Sequence, residues 1–283
     1  MKIESGMAAY VSGGGSGIGR GMARNLAARG VKVGVCDIRG EDAAETARLI
    51  EAAGGTAIPV VTDVSDRAAV DAAGDEIEAR LGPVQIVCNN AGVAMHGVKL
   101  HEISARDWDW VIGVNIYGVI HGISTFVPRL LARGEPAHIV NTASIGGFQV
   151  NPAFLTGAYS MTKYAVVALS EALQQELEGT QVGVSVLAPA AVDTGIHLSE
   201  RSRPERLGGA YVRPENHFMG ELIKDGADPD AIGSRVAQAI EDGDFFIFTH
   251  PETQPWLDQR HQRIREGFAK ARLVQGSQRA AAE

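Results

Sequence analysis

The chain has 283 residues, 45% hydrophobic and 21% charged, with a formal net charge of -8. That composition is ordinary for a globular protein with a sizeable core. It offers no basic stripe for a nucleic acid, and no apolar run approaches the length that spans a bilayer. Met1-Lys2-Ile3-Glu4-Ser5-Gly6 has charge but no apolar core after it, so no secretory signal is read. Cys36 and Cys88 give neither a disulfide framework nor metal-ligand spacing, and read as small buried hydrophobes in separate strands. The eight histidines are scattered, without a His-Glu-x-x-His pattern, and no metal is expected. The expected setting is a reducing cytoplasm, with no nucleic-acid or membrane partner.

Ala8-Ala9-Tyr10-Val11 is an apolar run ending at Ser12-Gly13-Gly14-Gly15-Ser16-Gly17-Ile18-Gly19. A helical pattern follows through Met22, Leu26 and Ala27, closed by Gly30. Val31 to Asp37 predicts a second strand, 41–53 a helix, and Ala57 to Val61 a third strand leading to Asp63. A helix over 66–81 stops at Gly82-Pro83, and Val84 to Cys88 predicts a fourth strand ending at Asn89-Asn90-Ala91-Gly92. Ser104 is a plausible N-cap for a helix over 104–133 with an apolar stripe from Trp108 to Val127. His138 to Thr142, Val182 to Leu187 and Phe245 to Thr249 predict three more strands, and 157–178 and 229–242 two more helices. The helix over 157–178 looks apolar on several faces, which predicts burial, against the core or another subunit. Residues 190–228 break the rhythm with Arg, Gly and Pro, and the tail after Pro251 is polar, with fraying expected beyond Gly276. Alternating strands and helices predict one α/β domain over 1–283. Its sheet is doubly wound and parallel, with about seven strands and helices on both faces.

Ligands on such sheets bind at the carboxyl ends of the strands. A glycine turn opening a helix lets backbone N–H groups approach a pyrophosphate at the positive end of the helix dipole. Asp37 ends the second strand 20 residues after Gly17, where a carboxylate meets adenosine ribose hydroxyls. It would repel a 2′-phosphate, which favours NAD over NADP, although Arg39 lies two residues on. Tyr159 and Lys163 stand one helical turn apart on one face. An ammonium beside a phenol favours the phenolate and lowers its ordinary pKa of about 10, so the phenol can exchange a proton with an alcohol or ketone.

Over roughly residues 6–250 the chain resembles the short-chain dehydrogenase/reductase family. Ser12 to Gly19 is similar to its Thr-Gly-x-x-x-Gly-x-Gly turn, with Ser for Thr, and Asn89-Asn90-Ala91-Gly92 is its Asn-Asn-Ala-Gly. Asn115, Ser144, Tyr159 and Lys163 match its catalytic set, and Pro189-Ala190-Ala191-Val192-Asp193-Thr194 its Pro-Gly stretch, with Ala190 for Gly. The resemblance implies a Rossmann-type fold. It implies cofactor contacts from Ser12, Gly13, Gly15, Ser16, Gly17, Ile18 and Gly19, from Asp37, Ile38, Asp63 and Val64, and from Asn90, Ala91 and Gly92. Tyr159, Lys163, Pro189, Val192 and Thr194 complete that set. It further implies that Asp63 meets the adenine amino group, that Ser144 holds the reacting oxygen, and that Asn115 holds a water joining Lys163 to solvent. The turn spacing and short C-terminal region set aside the sugar-nucleotide epimerase branch.

The expected function is NAD-dependent interconversion of a secondary alcohol and a ketone. The alternative is a non-catalytic NAD(H) sensor or scaffold. Phe148, Phe154, Leu155, His197, Leu198, Tyr211, Phe218 and Met219 lie in the segments expected to line the substrate site. They suggest an apolar or aromatic substrate, or else pack against the core or a neighbouring subunit. The insertion after Thr194 and Trp108-Asp109-Trp110 resemble features of bacterial dehydrogenases for benzylic alcohols of lignin-derived aryl ethers. Arg201, Arg203, Arg206 and Arg213 could meet an anionic group or be solvated. A homodimer or homotetramer is implied, joined through the helices over 104–133 and 157–178.

Overall fold

The structure is a computed structural model. It describes residues 1–151, 154–210, 220, 221 and 223–280, with side chains through 275. Met1–Thr249 form one compact unit and His250–Glu283 a second. In the first unit the strands are β1 (Ala8–Ser12), β2 (Lys32–Asp37), β3 (Thr56–Val61), β4 (Val84–Asn89), β5 (Ala137–Thr142), β6 (Val182–Ala188) and β7 (Phe246–Phe248). They form one parallel sheet in the order β3-β2-β1-β4-β5-β6-β7. The order reverses direction between β1 and β4, and the crevice beyond their carboxyl ends is where such sheets take ligands.

The central strands are covered on both faces, which explains their unbroken apolar runs. Ala9 and Val11 face a core shared with α1 (Gly17–Ala27), α2 (Gly40–Ala52) and α7 (Pro229–Asp242). Ala8 and Tyr10 face the opposite core, built with α3 (Arg67–Leu81), α5 (Gly118–Arg133) and α6 (Gly157–Glu176). Cys36 and Cys88 are free buried thiols on β2 and β4, and burial pushes both up to about 12.

The stretch expected as one helix over 104–133 is interrupted. After α4 (Ala105–Ile112), residues Gly113–Tyr117 widen into a π turn before α5 resumes. Ser104 caps it as expected, accepting from Asp107 N at 3.2 Å. Apolar periodicity reads α and π turns alike, so the sequence hides this bulge. Taken together, Ala105–Arg133 is long and apolar enough by length and composition to cross a membrane, with mean hydropathy 1.4. The expectation that no such run exists is therefore corrected. The helix packs on the sheet, with Phe126 and Leu130 buried in its core, so its apolarity is that of a core helix.

The tail after Pro251 is polar, as expected, but the second unit gives it regular structure that the sequence reading did not. It holds a helix, α8 (Gln254–Ala280), whose backbone continues past Gly276. Positions 261–275 are exposed, so no buried stripe announced it. Arg, Gln, Lys, Glu, Ala and Leu are good helix formers, and their frequency is the only local signal.

Buried polar side chains tie the strand ends. Asn89 donates to Asn141 Oδ1 at 2.9 Å, and Asn141 donates to Ser170 Oγ on α6 at 3.0 Å. A Cβ at Gly122 on α5 would lie 1.9 Å from Asn89 Oδ1. Gly122→Ala is expected to cost about 1–2 kcal/mol even after a helix-propensity gain of about 1 kcal/mol. A Cβ at Gly113 would meet Ser65 at an ordinary 3.5 Å, and Gly113→Ala should change stability by less than about 1 kcal/mol. Urea midpoints check both; equal midpoints for the two variants would mean that Asn89 moves aside.

Candidate active site

The glycine turn gets its shape from neighbouring strands. Ser12 donates its hydroxyl to Cys88 O at 3.2 Å and accepts the amides of Asn90 and Ala91 at 2.9 and 3.1 Å. Asn90 Nδ2 donates to Ser12 O at 3.0 Å, and Asn90 Oδ1 accepts from Thr142 at 3.2 Å. The Ser12 hydroxyl is thus spent holding β1 to β4, and it shapes the turn from beneath. Gly13 has φ +63°, and a Cβ there would lie 2.9 Å from Ala91 Cα. A Cβ at Gly19 would strike the Gly13 carbonyl, and one at Gly17 would strike Thr194. Ser16 stands at the N-cap of α1 without a side-chain cap bond, followed by Ile18 in the first turn, so helix N–H groups there are open to an anion.

Asp37 turns back into this loop. It accepts from Gly15 N at 3.1 Å and Arg39 N at 3.0 Å. Burial raises its carboxyl above the ordinary range, and the two backbone donors oppose the rise. Arg39 is committed to Asp42 at 2.7 Å and to Glu41. Ile38 is exposed beside it, and Val64 is buried next to Asp63. Asp63 accepts Ser65 N at 2.9 Å and Ser65 Oγ at 2.6 Å on one oxygen, and Arg206 at 3.1 Å on the other.

The expected catalytic groups converge at the carboxyl ends of β4, β5 and β6. Lys163 is buried, donates to Thr142 O at 2.9 Å, and lies 5.6 Å from the Tyr159 ring centroid. Ser144 is the polar neighbour that acts to lower the Tyr159 phenol's pKa. Ser144 accepts Gly146 N at 3.1 Å and donates to Pro189 O at 3.4 Å. Val192 pairs with Ala227 as an isolated parallel bridge, which sets Thr194 above Gly17. Asn115, in the π turn, accepts Val93 N at 2.8 Å and donates to Val93 O and Thr162 Oγ1, each at 3.0 Å. Its side chain is therefore a clamp on the loop after Gly92. A Cβ at Gly92 would stand 3.3 Å from Lys163 Nζ and 3.4 Å from Asn115 Oδ1. The missing side chain lets the backbone pass close to both groups.

The expectation that Lys163 lowers the Tyr159 pKa is corrected for this state. Burial raises the phenol, with only Ser144 opposing it, and burial lowers Lys163 to about 8. Desolvation penalises the charged form of each group. His96 was not named from sequence. It is buried, with its ring 5.4 Å from that of Tyr159; its only signal was its place four residues after Gly92. Phe148 packs against Phe248 and Phe246 of β7, at 5.2 and 5.9 Å between centroids, the packing alternative of the sequence reading. Tyr211, Arg213, Phe218 and Met219 lie outside the described residues.

Comparison with known proteins bears on this geometry. Residues 7–205 match the family model described as short chain dehydrogenase. This chain is a short-chain dehydrogenase/reductase. It is 36% identical to the C alpha-dehydrogenase of Sphingobium sp. (strain NBRC 103272 / SYK-6) over 95% of this chain and 88% of that one. It is 40% identical to the L-2,3-butanediol dehydrogenase of Corynebacterium glutamicum over 80% and 84%. A short chain dehydrogenase/reductase from Burkholderia phymatum in complex with NAD superposes with TM-score 0.89 and 38% identity, over 94% of this chain and 97% of that one. As a short-chain dehydrogenase/reductase, the protein is an oxidoreductase that interconverts secondary alcohols and ketones with a nicotinamide cofactor.

The residues present fit such a cofactor. The turn at Gly13, Gly15 and Gly17 is a cradle that side chains would fill, the open N-terminus of α1 faces it, and Asp37 and Asp63 offer acceptors at the ends of β2 and β3. When bound, the nicotinamide gives or takes the hydride.

Burial of Lys163 has a consequence for stability. Its pKa falls from 10.5 unfolded to about 8 folded. Below that window both states are charged and the folded state carries the full penalty; across it the unfolded chain holds more protons, so stability rises with pH. Lys163→Met is expected to stabilise the protein by about 1–2 kcal/mol at pH 7, allowing for the lost bond to Thr142. The gain should fade as pH approaches 10.5. Thermal denaturation from pH 7 upward checks this; a variant less stable throughout would show that the ammonium is solvated.

Proposed function

We propose that the protein oxidises a rather apolar, aromatic secondary alcohol with NAD, and reduces the ketone in reverse, using Tyr159, Ser144, Lys163 and Asn115. The observation that carries this is the convergence of Ser144 and Tyr159 on the buried Lys163 ammonium at the strand ends, beside the glycine cradle. Ser144 holds the reacting oxygen and stabilises charge developing on it. Tyr159 removes the hydroxyl proton in oxidation and returns it in reduction. Lys163 reaches both the phenol ring and the strand-end carbonyl, and there it holds ribose hydroxyls and favours the phenolate in the transition state. Lys163 and Asn115 flank Gly92, and a water held between them carries the proton out.

Specificity for NAD over NADP rests on the end of β2. Asp37 presents a carboxylate to the turn, and Arg39 is already held by two acids. A 2′-phosphate would meet repulsion from that carboxylate. The aromatic reading rests on the apolar cluster around Tyr159, formed by Val93, Met95, Trp110, Val111 and Ala158, and on likeness to a C alpha-dehydrogenase. We also place the protein in the cytoplasm as a homodimer or homotetramer. Large apolar side chains exposed on its long helices, Tyr117, Leu131 and Met161, support that assembly.

NADH absorbance against a panel of benzylic and aliphatic secondary alcohols tests the reading. Benzylic alcohols should give the higher kcat/KM, with NAD preferred over NADP by at least about tenfold. Tyr159→Phe should lower kcat by about 10³-fold while NADH binding stays within about threefold. Retained turnover in that variant would remove Tyr159 from its role. Silence of the wild type across the panel, with tight NADH binding, would make the protein a sensor.

A further inference from the structure

The chain between β6 and α7 leaves and returns at one point. Val192 bridges Ala227, Asp193 N donates to Ala227 O at 3.0 Å, and Ala227 N donates to Ala191 O at 2.9 Å. From this base the first described part of the excursion, through the 3-10 turns Gly195–Ser202 and Glu205–Leu207, touches the rest of the unit at separate places. Thr194 stands over Gly17. Ser199 Oγ accepts Ala94 N at 3.1 Å. Arg203 is buried, pairs with Asp107 at 2.6 Å and lies 5.2 Å from the Trp110 ring centroid. Leu207 packs on the apolar cluster around Tyr159. Between those two anchors, Arg206 points the other way. Its Nη2 donates to Asp63 Oδ2 at 3.1 Å and to Ser65 Oγ at 2.8 Å. Gly208 and Gly209 follow at once, with φ +109° and +75°, a pair of positions able to take up a change of backbone direction.

We propose that Arg206 is a cofactor-retention residue: it latches this excursion to Asp63 and so closes the adenine end of the dinucleotide groove over the bound nucleotide. The inference rests on the reading of Asp63 as the adenine end of the groove. The chemistry is one charge-assisted bond from a guanidinium nitrogen to a carboxylate oxygen, shared with the neighbouring Ser65 hydroxyl. Asp63 keeps Oδ1 for the Ser65 turn and shares Oδ2 with Arg206, so the carboxylate is aimed and the groove is bounded outside by the guanidinium. The buried Arg203–Asp107 pair holds the strap in place, while the Arg206 contact, with that side chain 56% exposed, is the part that can open. One excursion thereby reaches from the substrate cluster to the far end of the cofactor, so leaving of the cofactor requires the latch to release.

Stopped-flow displacement of NADH and equilibrium titrations of NADH, AMP and reduced nicotinamide mononucleotide, which lacks adenosine, test this on wild type, Arg206→Gln and Arg206→Lys. Arg206→Gln should speed NADH release by about fivefold, the scale of an exposed pair, and weaken AMP similarly. Its affinity for the mononucleotide and its thermal midpoint should not change. Arg206→Lys should restore part of the slow release, and added salt should speed release from wild type more than from Arg206→Gln. NADH release from Arg206→Gln within twofold of wild type, with AMP bound normally by both, would overturn the latch and leave the groove reading intact. Failure of the wild type to bind AMP or NADH would overturn the groove reading and the latch with it.

Discussion

Lys163 carries its ammonium into the interior of the first unit, where the Thr142 carbonyl accepts from it and the Tyr159 ring lies beside it. No carboxylate among the described residues forms an ion pair with it. A charge buried on those terms is costly, and much of the surrounding structure keeps it in place. The amide of Asn115 stiffens the loop on one side, Thr162 links that amide to α6, and the Asn89–Asn141–Ser170 chain braces the same helix deeper in the fold. A site built this way keeps an ammonium close to a phenol, and the stability given up locally is offset by the two apolar cores.

The strand ends carry a second requirement. Parallel strands deliver all their carboxyl ends to one edge, so the glycine turn, the Asn-Asn-Ala-Gly corner, Ser144 and Pro189 meet without any long-range design in the loops. The loops are instead cross-linked to one another. Ser12 ties the first corner to the second, Thr142 ties the second to β5, and Ser144 ties β5 to Pro189. Each bond uses a polar side chain at a strand terminus, where the ladder itself leaves groups to satisfy.

Much of this was legible in the sequence. Period and punctuation located all seven strands because buried parallel strands are continuous apolar runs between glycines. Residue spacing singled out Asp37, Ser144, Tyr159 and Lys163, and the structure brings them to the carboxyl edge of one sheet. What escaped has definite causes. The π turn at Asn115 changes backbone hydrogen bonding without changing the apolar stripe. Among its described side chains α8 has no buried side, so its pattern matches a polar tail. The directions of the Tyr159 and Lys163 shifts depend on how deeply both groups sit, which spacing cannot report. Arg201, Arg203 and Arg206 looked interchangeable as surface cations, yet each stands by a different acid: Asp42, which Arg39 already holds, at 3.9 Å, Asp107 and Asp63.

The single bridge between Val192 and Ala227 has an implication for how such a scaffold diversifies. Closing a longer loop costs only slowly more as residues are added, and here the two ends are already fastened to each other at the sheet. Whatever lies between them can lengthen, shorten or change composition while the spacing of β6 and α7 is inherited untouched. Selection can therefore rewrite the roof of the chamber without disturbing its floor.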